Sequence, residues 1–148
     1  MTLTVRRAGV DDLDALSRLF DAYRQFYQQT ADLGRARAFL AERLERDESV
    51  VFIALEGERA VGFTQLYPSF SSVSAAPVLQ LNDLYVEEAD RQRGAGRLLL
   101  TAAADHGREV GAVRMWLTTQ WNNTVAQTAY ERLGWKADTD FKTYNFAL

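Results

Sequence analysis

Two glycines and three arginines fall within the seven residues Arg91-Gln92-Arg93-Gly94-Ala95-Gly96-Arg97. The apolar run Leu84-Tyr85-Val86 precedes them and Leu98-Leu99-Leu100 follows. The first run reads as the end of a strand and the second as a helix. A strand feeding a glycine-rich turn into a helix presents amides that no helical carbonyl can take. Those amides lie at the positive end of the helix dipole, where an anion is favoured. Glycine also removes the Cβ that would hold an anion off the backbone. The stretch is therefore read as a seat for a phosphate-bearing cofactor gripped by main chain. Its spacing excludes two common alternatives. The GxxxxGK[ST] loop is absent, and Lys136 and Lys142, the two lysines, lie far along the chain. The GxGxxG pattern is absent too, because Gly96 is followed by Arg97, Leu98 and Leu99.

Other residues have the chemistry to act on a bound molecule. Tyr130 carries a phenol that titrates near ~10 and can donate a proton. It lies seven positions beyond Asn123, in a stretch from Asn122 to Trp135 with Val125, Ala126, Ala129 and Leu133 at helical spacing. Either Asn122 or Asn123 can cap that helix. Asn82-Asp83 offers one carboxylate on the strand that enters the glycine turn. Strand alternation predicts Asp83 and Tyr85 on one face and Asn82 and Leu84 on the other. Three aromatics stand in Tyr23-Arg24-Gln25-Phe26-Tyr27. Tyr23, with Phe20, reads as core, whereas Phe26 and Tyr27 fall near a helix end where they can line a substrate pocket.

Composition narrows the classes. No cysteine is present, which removes disulfides, thiolate ligands and a cysteine nucleophile. One histidine, His106, is too few for most zinc sites, so no metal is expected. Net charge is −3, which disfavours non-specific nucleic-acid binding despite the arginine cluster. No run approaches the ~18 apolar residues of a membrane span, and residues 1–10 show no hydrophobic leader. A cytoplasmic protein without membrane or nucleic-acid partners is the expectation.

The elements that must position these groups follow from periodicity. Thr2 to Arg7 alternates as a strand, and Asp11 or Asp12 caps a helix running to about Gln28. A second helix spans roughly Leu33 to Arg46. Val50 to Leu55 and Ala60 to Tyr67 form a hairpin about Glu56-Gly57-Glu58. Pro68 to Pro77 reads as a loop that could wall a site. Val78 to Val86 is the strand entering the glycine turn, and a helix runs from Gly94 to about Val110, stopped by Gly111. Val113 to Thr118 is a strand; the capped helix follows; and short strands at about Trp135 to Ala137 and Phe141 to Phe146 finish the chain. The order βααβββαβαββ predicts a single α/β (α+β) domain, with a mixed central sheet of about seven strands and about four helices.

Arg91-x-x-Gly94-x-Gly96 resembles the acyl-CoA pyrophosphate motif (R/Q)xxGx(G/A) of the GNAT N-acetyltransferases. The later stretch resembles that family's N-x-x-A-x-x-x-Y-E-x-x-G-F/W pattern, through Asn123, Ala126, Tyr130, Glu131, Gly134 and Trp135. The two motifs stand in the family's order, one helix and one strand apart, and the likeness covers nearly the whole chain. Leu81-x-Asp83-Leu84-Tyr85-Val86, Trp121-Asn122-Asn123 and the aromatic C-terminal stretch are most similar to the diamine and fungal histone-type branch. The resemblance implies acetyl-CoA as cosubstrate. Main chain of Leu84, Tyr85 and Val86 would hold pantetheine, and Arg91, Gln92, Arg93, Gly94, Ala95, Gly96 and Arg97 the pyrophosphate. Asn123 and Ala126 would meet the cofactor from the far side. Tyr130 would be the general acid. Asp83 would act as base through water or bind a cationic small-molecule amine beside Phe26 and Tyr27, with direct attack by an amine already neutral left open; Asn82, which cannot take a proton, departs from the acidic pair of that branch. A homodimer is the family expectation. A protein or peptide amine as acceptor, and a non-catalytic acyl-CoA-binding domain, remain open alternatives.

Overall fold

The computed structural model describes residues 2–148. Five strands form one sheet in the order β1-β2-β3-β4-β5. They are β1 (Leu3–Arg7), β2 (Val50–Glu56), β3 (Arg59–Ser71), β4 (Ala76–Val86) and β5 (Met115–Trp116). The first four pair antiparallel, and β5 lies parallel to β4 through Leu79↔Met115 and Gln80↔Trp116. A parallel neighbour needs a crossover, and α3 (Ala95–Glu109) supplies it.

Period-two alternation, shifted in β3 by a bulge at Val61 between the pairs Ala54↔Gly62 and Leu55↔Ala60, sorts the strand residues between the two faces. Val51, Ile53 and Phe63 pack with Leu13, Leu16, Leu19 and Phe20 of α1 (Leu13–Phe26) and with Ala36 and Leu40 of α2 (Leu33–Glu45). Ala54 and Val61 pack instead with Ala95 and Leu99 of α3. The sheet thus carries α1 and α2 on one face and α3 on the other. Asp12 does not cap α1 through its side chain; its carboxylate accepts from the Gly9 amide and from Arg6.

The chain divides into two compact units, one ending at Leu117 and one spanning Thr118–Leu148. The second is built on α4 (Thr124–Arg132). Gly134, at φ +94°, takes the left-handed conformation that ends this helix, and its amide donates to the Glu131 carbonyl at 3.1 Å.

The sheet has five strands rather than about seven. The stretches at Trp135–Ala137 and Phe141–Phe146 form no strand. Asp138 explains part of this: its Oδ1 accepts from the Asp140 amide at 2.9 Å and the Phe141 amide at 3.1 Å. Such a side-chain turn occupies amides that a ladder would need. The expected strand Val113–Thr118 is regular only over Met115–Trp116. Pro68–Pro77 is no loop but the far end of the β3–β4 hairpin, with only the four residues 72–75 turning. Proline is tolerated there because β2 begins at Val50, opposite Leu66, so no strand on that side asks Pro68 for an amide. No helix among the described residues is long and apolar enough to cross a membrane.

Candidate active site

The end of β4, the turn after it and the first residues of α3 form a continuous edge in the first unit. Pairing with β5 stops at Gln80, so Leu81 to Val86 have no β5 partner among the described residues. Beyond Val86 a 3-10 turn (Glu88–Asp90) leads to Gln92 at φ +64° and Gly94 at φ +91°. Two left-handed residues so close together swing the chain into α3, and a non-glycine residue seldom adopts that conformation. The first amide bonded into α3 is that of Leu98, which donates to the Gly94 carbonyl at 3.1 Å. No protein acceptor takes the amides of residues 92–97 among the described residues. A Cβ built at Gly94 or at Gly96 would meet nothing within 4 Å. Packing therefore does not demand glycine at Gly96, and the space a side chain would fill is left beside free amides.

The arginines of the turn divide by role. Arg91 Nε donates to the Val86 carbonyl at 2.9 Å, and its guanidinium lies 5.9 Å from the Phe26 ring centroid and 5.7 Å from that of Tyr85. Arg93 is held by Asp90 and Glu56. Its side chain is thus committed to protein partners, and what it offers an anion is its amide. Arg97 is exposed on the first turn of α3.

A second cluster surrounds Asp83, which is 1% exposed. The β3–β4 register shifts between Gln65↔Asp83 and Leu66↔Leu81, leaving Asn82 as an extra residue in β4. This bulge changes the outcome expected from strict alternation. Asn82 does not work apart from Asp83: its Nδ2 donates to Asp83 Oδ1 at 2.7 Å. Gln65 Nε2 donates to Asp83 Oδ2 at 2.6 Å, while Gln65 Oε1 is buried without a partner. The Tyr23 hydroxyl donates to the Asn82 carbonyl at 3.1 Å. Burial pushes the Asp83 carboxyl up to about 6, against hydrogen bonds from Asn82, Gln65 and Tyr23 that favour the carboxylate. Burial and the Asp83 charge together push the Tyr23, Tyr27 and Tyr67 phenols up, so all three stay protonated donors at neutral pH.

The aromatics of the first helix split between these clusters. Tyr27 packs 5.1 Å from Tyr23 and feels Asp83, whereas Phe26, 48% exposed, faces Arg91. Tyr23 was readable only as core, yet it is both: its ring stacks on Phe20 and its hydroxyl serves the Asp83 cluster. Gln65 and Tyr67 also had no motif to announce them.

In the second unit Asn123 caps α4, its side chain accepting from the Ala126 amide at 3.4 Å. Tyr130 lies on the same helix, its ring 6.0 Å from Trp135, and its carbonyl accepts from the Trp135 amide at 3.1 Å.

Residues 14–135 match the family model described as acetyltransferase (GNAT) family. The chain belongs to the GNAT family. It is 46% identical over 142 residues to a Bacillus subtilis protein named an uncharacterized N-acetyltransferase, YhfO, covering 96% of this chain and 95% of that one. A probable acetyltransferase of Haemophilus influenzae is 34% identical, with 88% and 84% covered. A crystal structure of a probable acetyltransferase superposes with a TM-score of 0.93 at 43% identity, covering 98% of this GNAT chain and 97% of its own. The protein is thus an acetyltransferase enzyme. These matches carry the family and do not support the diamine or fungal histone-type branch.

GNAT enzymes use acetyl-CoA as cosubstrate, and the first unit fits its chemistry. Free amides at a helix N-terminus suit a pyrophosphate, the unfilled space at Gly94 and Gly96 admits it, and the unpaired stretch of β4 suits an amide-bearing pantetheine.

Proposed function

We propose that this enzyme acetylates a primary amine, a small cationic amine or amino acid in preference to a protein amine. Asp83 is the general base and Tyr130 the general acid. The observation that carries the reading is Asp83: a buried carboxyl on the strand leading into the phosphate turn, held by two amide side chains and pushed up to about 6. A buried carboxyl perturbed by desolvation beside specific hydrogen-bond partners is a candidate for a functional site.

The amides of Gln92, Arg93, Gly94, Ala95, Gly96 and Arg97 would hold the pyrophosphate, with main chain of Leu84, Tyr85 and Val86 along the pantetheine. Arg91 supports this edge through its bond to Val86. Asn123 and Ala126 are assigned to the cofactor by their position in the family motif. When bound, acetyl-CoA supplies an acyl group activated as a thioester.

The chain's own residues do the rest. An alkyl ammonium titrates near ~10.4, and only the neutral amine attacks. Asp83 Oδ1 or Oδ2 takes the ammonium proton. Its rise from 3.8 to about 6 narrows the mismatch with the ammonium from roughly 6.6 to roughly 4.4 pH units, while leaving the group ionised at neutral pH. The protonated phenols of Tyr23 and Tyr27 turn a ring face or a hydroxyl toward a cation. As the N–C bond forms and the C–S bond breaks, Tyr130 Oη gives its proton to the leaving sulfur; nitrogen sheds its second proton to solvent as the amide forms, which restores the phenol, and Asp83 keeps the first.

Thiol release from acetyl-CoA, measured against diamines, amino acids, aminoglycosides and lysine peptides, tests the proposal. Turnover on small cationic amines supports it. Turnover confined to peptides favours a protein acceptor, and tight acetyl-CoA binding without turnover on any amine favours a non-catalytic binding domain.

A further inference from the structure

Four charged side chains form a closed ring beneath the phosphate turn. Asp90 is 3% exposed at the end of the 3-10 turn. Its Oδ1 accepts from Arg59 Nη2 at 2.8 Å and from Arg93 Nη1 at 3.1 Å, and its Oδ2 accepts from Arg59 Nη1 at 3.0 Å. Glu56 closes the ring, accepting from Arg59 Nη2 at 3.3 Å through Oε1 and from Arg93 Nη2 through Oε2. Glu56 and Arg59 are paired residues flanking the β2–β3 turn, whereas Asp90 and Arg93 bracket the start of the glycine turn. The ring is neutral, two carboxylates against two guanidiniums, so it adds no net charge for a phosphate to feel. What it does is mechanical.

We propose that Asp90 is a positioning residue for the CoA phosphates, acting through the backbone of Arg91 to Gly94; the inference rests on the acyl-CoA reading above. Asp90 and Arg93 span Gln92, the non-glycine residue held at φ +64°. That conformation is disfavoured for glutamine and needs fixed neighbours on both sides. The Arg59 fork anchors Asp90 in both directions of its plane, which a bidentate guanidinium does better than any single contact. The Glu87 amide, donating to the Val61 carbonyl at 2.8 Å, ties the same segment to β3 just upstream. With both ends pinned to the hairpin, the free amides of residues 92–97 keep one arrangement before any phosphate arrives, and preorganisation of this kind raises affinity.

The test is Asp90→Asn, which keeps the shape and removes the charge that holds both arginines. Amide-resolved NMR titrations with CoA and with pantetheine, which lacks the phosphates, give both affinities and a check of the fold in one experiment. The expected result is a Kd for CoA weakened about tenfold with the pantetheine Kd unchanged, and free-state shift changes centred on residues 90–97. CoA binding equal to wild type overturns the inference, as does an equal loss for both probes. Should Asp90→Asn not fold, Arg59→Lys keeps the charge but removes the bidentate fork that anchors Asp90. A loss confined to CoA supports the proposal there, and no loss overturns it. A wild-type protein that binds neither probe overturns the acyl-CoA reading itself.

Discussion

Replacing Asp83 by asparagine pulls stability and activity in opposite directions. An unfolded aspartate titrates near 3.8, and burial in the fold pushes Asp83 up to about 6. Between those values the native state holds a proton that the unfolded chain has lost, so stability falls as pH rises through the window. The gap of roughly 2 pH units amounts to about 3 kcal/mol of native-state cost at pH 8. Because Asp83 is buried, solvent screening takes little from that figure. Asparagine mimics the neutral carboxyl and does not titrate. It also offers an N–H, and a turned Gln65 amide can meet it with the Oε1 that now lacks a partner. Asp83→Asn is therefore expected to nearly match wild type at pH 4 and to exceed it by about 3 kcal/mol at pH 8. In a chain of this size that raises the thermal midpoint by roughly 6–12 °C. Loss of the base lowers kcat/KM by about 10²-fold or more over the same range. Urea unfolding at pH 4, 6 and 8, run beside the rate assay, reads both effects. A stability difference that does not grow with pH refutes the buried-carboxylate argument, and an unchanged kcat/KM refutes the base.

Tyr130→Phe is expected to lower kcat by about 10²-fold with little change in the KM for acetyl-CoA, because the hydroxyl acts on the leaving group rather than on binding. Gly96→Ala meets no neighbour within 4 Å, so the fold should hold or gain about 0.5–1 kcal/mol from helix propensity. Its CoA Kd, measured calorimetrically, should stay within a few-fold of wild type, because the last position of the (R/Q)xxGx(G/A) motif admits alanine. Gly62→Ala is the reverse case: its Cβ would stand 2.7 Å from the Tyr85 carbonyl oxygen. Denaturant unfolding should show a loss of about 1–3 kcal/mol as β3 is pushed from β4.

Local chemistry carried the parts of the protein that a few neighbouring residues specify. Gly134 adopts the left-handed conformation that its position just past a helix end asks for. Asn123 caps α4 as its type and place require. The glycine turn between β4 and α3, and α3 itself, were likewise legible, because turn chemistry and apolar periodicity act within a few residues. The Pro68–Pro77 stretch misled because two prolines and four serines are loop composition. Only the pairing partner revealed that Pro68 sits where no ladder bond is needed. The C-terminal strands failed for the converse reason: aromatic residues invite pairing, but Asp138 takes the Asp140 and Phe141 amides first.

Tertiary structure alone determined how the chemistry is tuned. Asp83 owes its raised pKa to burial, moderated by hydrogen bonds from Gln65, eighteen residues away, and from Tyr23, on a helix far earlier in the chain. The bulge that turns Asn82 toward it arises from a register mismatch between two strands, which no single strand's pattern contains. Arg93, the third residue of the motif Arg91-x-x-Gly94-x-Gly96, gives its side chain to Glu56, thirty-seven positions earlier, and not to a ligand. Residue type and spacing name the groups that can react, because those are properties of short peptides. Desolvation and ion pairing set what the groups do, and both depend on which distant segments the fold brings against them.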